Sequence, residues 1–251
     1  MSADAMEFPD GHGCLHGVGL GPGDPDLLTM RAVAIVQASP VIAFFAKKGA
    51  RGHGRTIVDR WLDPEKRELP LIYPVTIEIP FQHPDYVAAL SRFYEDSSAL
   101  IAAHLTDGRD VALLCEGDPL FYGSFMHIYV RLKSAFRISI CPGVTGMSGC
   151  WTAAGEPIAW GDDILTVLPG TLSRDALISR LIATDAAVIM KLGRNFAKVK
   201  AALAQAGLLA RAIYVERGAM ADQKIMPLRD KSDDEAPYFS MIIVPGRGRR
   251  P

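Results

Sequence analysis

Three glycine-bearing turns hold the residue types that could do chemistry. The first is Gly17-Val18-Gly19-Leu20-Gly21-Pro22-Gly23-Asp24, between an apolar stretch and a helical pattern. The second, Glu116-Gly117-Asp118-Pro119-Leu120-Phe121-Tyr122-Gly123-Ser124, sets two carboxylates around a glycine. The third is Pro142-Gly143-Val144-Thr145-Gly146. Glycine allows a ligand to approach backbone closely, proline stiffens the loop, and carboxylates accept hydrogen bonds from cations and hydroxyls. A competing reading of the first turn is a tight strand-to-helix connection capped by Asp24. It is not a dinucleotide fingerprint. G-x-G-x-x-G read from Gly17 ends on Pro22, and read from Gly19 it ends on Asp24. Residues 43–46 also lack the acidic ribose ligand that such a site needs.

A cationic stretch is the second chemical feature. Residues 45–58 contain Lys47, Lys48, Arg51, His53 and Arg55, three glycines and no carboxylate. The composition reads either as a flexible loop that closes over an acidic ligand or as an ordinary solvated basic loop. His53 has no histidine or carboxylate partner at ligand spacing, so no metal is expected. The four cysteines, Cys14, Cys115, Cys141 and Cys150, form no C-x-x-C pair and read as buried reduced thiols.

The elements that must position these residues alternate in type. Strand-like stretches at 15–20, 41–45, 111–114 and 137–140 are separated by helical patterns, which implies crossovers and a parallel sheet. Asp24 reads as the cap, with Pro25 in first position, of a helix carrying Leu27, Leu28, Ala32, Ile35 and Val36 and ending at Pro40. Longer helical patterns cover 84–105 and 121–132. After Pro142-Gly143 comes a small-residue helix to about Ala154. Strands are then expected at 164–168, 187–191, 212–215, 224–227 and 238–244, with a helix at 195–206. The last three strands are joined by connections too short for helices and should pair antiparallel.

The fold class expected is therefore α/β, a parallel-sheet domain over 14–141 followed by a mixed-sheet domain over 142–246. Flexible tails are expected at 1–13 and 247–251. Net charge is −1, from 27 basic and 28 acidic residues, and 49% of residues are hydrophobic. That excludes global disorder and argues against nucleic-acid binding by bulk charge. No apolar run reaches the roughly 18 residues needed to span a bilayer, and the N-terminus lacks a secretory pattern. A cytoplasmic protein is expected.

The turns, taken with what lies between and after them, resemble the tetrapyrrole methylase family. The family's V-G-x-G-P-G-D-P stands at 18–25 and its G-D-P loop at Gly117-Asp118-Pro119. Its P-G-[IV]-x segment is Pro142-Gly143-Val144-Thr145, and its methionine-ended strand is Val188-Ile189-Met190. Its E-x-[GA] turn is Glu216-Arg217-Gly218. Residues 71–76, 190–195 and 238–241 are most similar to those of members acting at C20 of precorrin-2.

The resemblance implies S-adenosylmethionine as methyl donor, held in a cleft between two α/β domains. Donor contacts would be Pro22, Glu116, Gly117, Asp118, Phe121, Thr145, Gly146, Met190 and Gly218. Substrate contacts would be Pro22, Gly23, Asp24, Lys47, Lys48, Arg51, Arg55 and Tyr73, matching the acidic side chains of a tetrapyrrole such as precorrin-2. A homodimer is also implied. Sirohaem-making relatives carry a working aspartate just after the second strand, where Phe44 and Phe45 stand here, so that role does not transfer. No residue is singled out as a base for the C20 proton; Glu78 and His83 are only conceivable. Alternatives are another corrin-ring carbon, a cobalt-loaded ring, or a non-catalytic tetrapyrrole carrier.

Overall fold

The computed structural model describes residues 11–74 and 83–248. The expectations touching 1–10, Val75, Thr76, Glu78, Arg249 and Arg250 lie outside the described residues. The chain divides into two compact units at Thr145/Gly146.

The first unit is built on five parallel strands: β1 (Leu15–Gly19), β2 (Val41–Lys47), β3 (Arg67–Tyr73), β4 (Val111–Cys115) and β5 (Ile138–Cys141). Their spatial order is β3-β2-β4-β1-β5. Every neighbouring pair is parallel. β4 is buried at all five positions, because apolar clusters lie on both faces of the sheet. One face packs Leu15, Val41, Leu113 and Phe125 with Phe93 and Ile101 of α3 (Pro84–Thr106) and with α4 (Phe125–Leu132). The other packs Val18, Ile42, Phe44 and Leu114 with Ala32 and Val36 of α1 (Met30–Ala38).

Three local expectations need correction. The helix after the first turn begins at Met30, not Pro25, because Thr29 caps it by accepting from the Ala32 N–H. Asp24 instead caps a separate 3₁₀ turn, Pro25–Leu27. Phe121 likewise stands before its helix, in a turn where Tyr122 has φ 54°. β3 was not expected, since Arg67, Glu68 and Pro70 disguise it. As an edge strand it tolerates both charge and proline.

The second unit starts with α5 (Gly146–Ala154). Its sheet has the order β6-β7-β10-β8-β9, from β6 (Leu165–Pro169), β7 (Ala186–Met190), β8 (Ile213–Glu216), β9 (Lys224–Pro227) and β10 (Ser240–Val244). β6 and β7 run parallel, and the remaining pairs are antiparallel. The expected mixed sheet is present. Helices α6 (Arg174–Ile182), which was not expected, and α7 (Phe196–Gln205) cover one face.

Candidate active site

The strand order brings the three turns together. β4, β1 and β5 are adjacent and parallel, so the turns leaving their carboxyl ends lie side by side. Ligands of open α/β sheets bind at that edge. The first and second turns are hydrogen-bonded directly: Gly117 N–H donates to the Gly21 carbonyl (2.8 Å) and Gly21 N–H to the Gly117 carbonyl (3.3 Å).

Glycine is required here mainly for backbone-to-backbone contact. A Cβ on Gly143 would lie 2.1 Å from the Gly117 carbonyl oxygen, and one on Gly19 would lie 2.5 Å from the Gly143 nitrogen. Gly117 has φ 68°, a conformation that side chains disfavour. Asp118 completes the lock. Its Oδ1 accepts from Leu120 N–H (2.9 Å) and its Oδ2 from Gly143 N–H (3.2 Å), tying the second turn to the third.

Glu116 reaches the other way. Its Oε1 accepts from the Gly54 N–H (3.1 Å) at the start of α2 (His53–Ile57), a helix whose Gly52 cap offers no side chain. The side chain is exposed, yet the surrounding protein raises its carboxyl pKa above the ordinary value. Hydrogen bonds from backbone amides, Gly54 included, and the nearby His53 oppose that rise. Pro22 is buried beneath the first turn, and Gly23, Asp24, Phe121 and Thr145 are half-buried. Asp24 Oδ1 accepts from Asp26 N–H.

The cationic stretch is not one loop. Lys47 ends β2 and 53–57 are helical. Arg55 is buried and bonded to Asp59 and Glu68, while Arg51 forms two hydrogen bonds to Asp59 at 2.9 and 2.7 Å. Their charge is largely taken up within the fold. Lys47 and Lys48 are exposed at the strand ends, and Lys47 lies in register with Tyr73, the last residue of β3.

In the second unit, Gly146 opens α5, Met190 ends β7 and is buried, and Gly218 follows β8. Gly218 sits between Arg217 (φ 52°) and Ala219 (φ 65°), and a Cβ there would be 3.0 Å from Cys150 Cα. Lys191, just after Met190, has φ 57°. All four non-glycine residues of positive φ among the described residues lie in turns after β4, β7 and β8, and such strain gathers at functional loops. Glu216 holds its turn by accepting from Tyr214 hydroxyl (3.1 Å) and pairing with Arg217 and Lys224, each at 3.4 Å.

The donor groups of the first unit suit a cationic ligand. Asp24, Glu116 and Asp118 ring the turns, and residues 115–124 contain no basic residue, a setting that favours an ammonium and disfavours a pyrophosphate. Among the described residues no group of three histidine, cysteine, aspartate or glutamate side chains could hold a metal. A surface hollow lined by Gln37, Pro40, Trp61 and Lys66 lies at the amino ends of β2 and β3 and contains none of the expected site residues. The partners Asp59 and Glu68 and the hydroxyls of Ser124 and Tyr94 were not expected. None of the four carried a signal: Ser124 falls inside the helical pattern expected over 121–132, whereas its helix begins at Phe125.

Residues 14–231 match the family model of tetrapyrrole (corrin/porphyrin) methylases. The chain belongs to that family. As a tetrapyrrole methylase it is 53% identical to a precorrin-2 C(20)-methyltransferase from Sinorhizobium sp over 96% of this chain and 98% of the relative. It is 28% identical to a cobalt-precorrin-2 C(20)-methyltransferase from Salmonella typhimurium over 93% and 96% of the two chains. Among solved structures, a cobalt precorrin-4 methyltransferase superposes with TM-score 0.73 at 20% identity, covering 95% and 97%. That likeness concerns the fold. No helix among the described residues is long and apolar enough to cross a membrane.

Proposed function

We propose that this methylase transfers a methyl group from S-adenosylmethionine to C20 of precorrin-2, giving precorrin-3A in cobalamin biosynthesis. The observation that carries the reading is the 53% identity over nearly the whole of a precorrin-2 C(20)-methyltransferase. Identity to the cobalt-precorrin-2 C(20)-methyltransferase is only 28%, which favours the metal-free ring as substrate. The residues present suit the donor, since the carboxylates around Gly117 complement an ammonium and Phe121 offers an apolar ring. When bound, the donor supplies an electrophilic methyl on a sulfonium.

The protein's share is binding, orientation and exclusion of water. Pro22, Glu116, Gly117, Asp118, Phe121 and Thr145 of the first unit, and Gly146, Met190 and Gly218 of the second, are the donor contacts proposed. Gly23, Asp24, Lys47, Lys48 and Tyr73 are proposed to meet the ring, with the two lysines facing its carboxylates. Arg51 and Arg55 support them from within their pairs to Asp59. The reading includes a tetrapyrrole-facing first domain, a second domain completing the donor site, a homodimer and a cytoplasmic setting.

The test is incubation with methyl-labelled S-adenosylmethionine and either precorrin-2 or its cobalt complex, read by mass and carbon NMR. Label at C20 of the metal-free ring is expected. Label on neither ring would overturn the assignment, and label at another carbon would redirect it within the family.

A further inference from the structure

The carbon that accepts the methyl must also give up its hydrogen. C20 forms a bond to the methyl as the C–S bond of the donor breaks, and the C20–H bond breaks afterwards. Its electron pair restores the ring double bond, and its proton passes to a base. One carbon does both, so the base must lie within hydrogen-bond reach of it, about 3 Å, on the side where donor and ring meet. It therefore belongs among the residues that line the donor site.

Few side chains there can take a proton. Of the donor contacts proposed above, only Glu116 and Asp118 are carboxylates; the others offer glycine, apolar or hydroxyl groups. Asp118 has both oxygens engaged, by Leu120 N–H and Gly143 N–H. His83 is no substitute, because its Nδ1 caps α3 by accepting from Asp85 N–H (3.3 Å).

Glu116 is placed differently. Among the described residues its one bond to another residue comes from Gly54 N–H to Oε1, and the side chain reaches solvent. A Cβ on Gly54 would lie 3.4 Å from both Leu20 and Leu114 and 3.8 Å from that Oε1. The carboxylate thus stands in the corner where β4, the first turn and α2 meet. Gly117 and the donor turn follow it in the chain, while α2 leads back to β2 and Lys47, which is proposed to face the ring. Desolvation also raises its pKa, against backbone hydrogen bonds and the nearby His53. A carboxylate that holds its proton more tightly is the stronger base, and contact with water lets it release that proton afterwards.

We propose that Glu116 is the proton acceptor of the reaction, its carboxylate taking the hydrogen that leaves the newly methylated C20. This inference rests on the C20-methylation reading above.

The test compares wild type, Glu116→Gln and Glu116→Ala, with turnover of precorrin-2 measured at saturating S-adenosylmethionine and saturating ring. Glutamine keeps an acceptor for Gly54 N–H but is no base. In Glu116→Gln kcat should fall by about a hundredfold while the melting temperature is kept. In Glu116→Ala, added formate should restore activity by about tenfold or more, acting as a free carboxylate in the space left by the side chain. A saturated kcat within about threefold of wild type in Glu116→Gln would show a donor contact only and overturn the inference. So would a fall in its melting temperature that parallels the loss of turnover, or a Glu116→Ala enzyme that formate does not rescue. These results leave the function standing provided wild type labels C20; a wild type that labels neither ring overturns the function and this role together.

Discussion

The two units hold their turns by different physics. In the first, Gly19, Gly117 and Gly143 bring three backbones into direct contact, and Asp118 bonds amides on two of the turns. In the second, the turn at Arg217 is held by the buried carboxylate of Glu216 with Tyr214, Arg217 and Lys224. The first arrangement has no room for a Cβ but needs little charge. The second tolerates volume better and depends on a charge. Substitutions should therefore fail sterically in one unit and electrostatically in the other.

The sharpest way to break this comparison is to add one methyl to each unit. Gly143→Ala drives a Cβ into the Gly117 carbonyl, itself bonded to Gly21. A loss of about 3 kcal/mol or more in urea unfolding is expected, with loss of donor binding. Gly146→Ala meets only the flexible end of Met241, at 3.1 Å, and begins a helix that alanine favours. Its stability should stay within about 1 kcal/mol of wild type. Equal losses in the two variants would refute the contrast.

Next in size is a contrast among cations. Arg55→Ala leaves Asp59 and Glu68 without a buried partner and should cost about 2–3 kcal/mol, somewhat below a fully buried pair because both carboxylates reach solvent. Lys48→Ala should change thermal stability by less than about 0.5 kcal/mol while raising KM for the tetrapyrrole. Similar melting temperatures for both variants would show that Arg55 is not part of the framework.

These contrasts mark what was readable in the chain. The parallel first sheet, the mixed second sheet and the long helix over 84–105 followed from apolar periodicity and connection lengths. The three turns were visible because glycine and proline punctuate sequence. Their lateral order was not, since it depends on β1 lying between β4 and β5. Nor were the partners of Arg55, because Glu68 lies on β3, whose charge and proline suit an edge and conceal a strand. Asp24 misled for a related reason: its cap is real but serves a 3₁₀ turn, while Thr29 starts the helix.

The charge-held turn offers a smaller effect. Glu216→Gln can keep the Tyr214 bond but loses both ion pairs, and Arg217 retains Asp222. Lys224 is 61% exposed, so its share is slight. A loss of about 1 kcal/mol is expected, with faster amide exchange at residues 217–219. Unchanged exchange there would show that the charge of Glu216 does not hold this turn.

Smallest, and of opposite sign, is Glu116→Gln. The glutamine carbonyl can still accept from Gly54 N–H, so the α2 contact survives. The carboxyl pKa is raised in the folded chain, mainly by desolvation, which means that the ionised form costs stability. Below the ordinary glutamate pKa both folded and unfolded chains hold the proton, and this contribution vanishes. As pH rises from that value through the raised one, the unfolded chain ionises first and wild type loses stability, reaching a constant penalty above. The variant should match wild type near pH 3 and exceed it at pH 7, by less than about 1 kcal/mol because the side chain keeps contact with water. Denaturant midpoints across that range measure it. A variant less stable than wild type at pH 7 would mean that the ionised carboxylate, as the cap of α2, outweighs its own desolvation, and the first unit would then depend on charge as well.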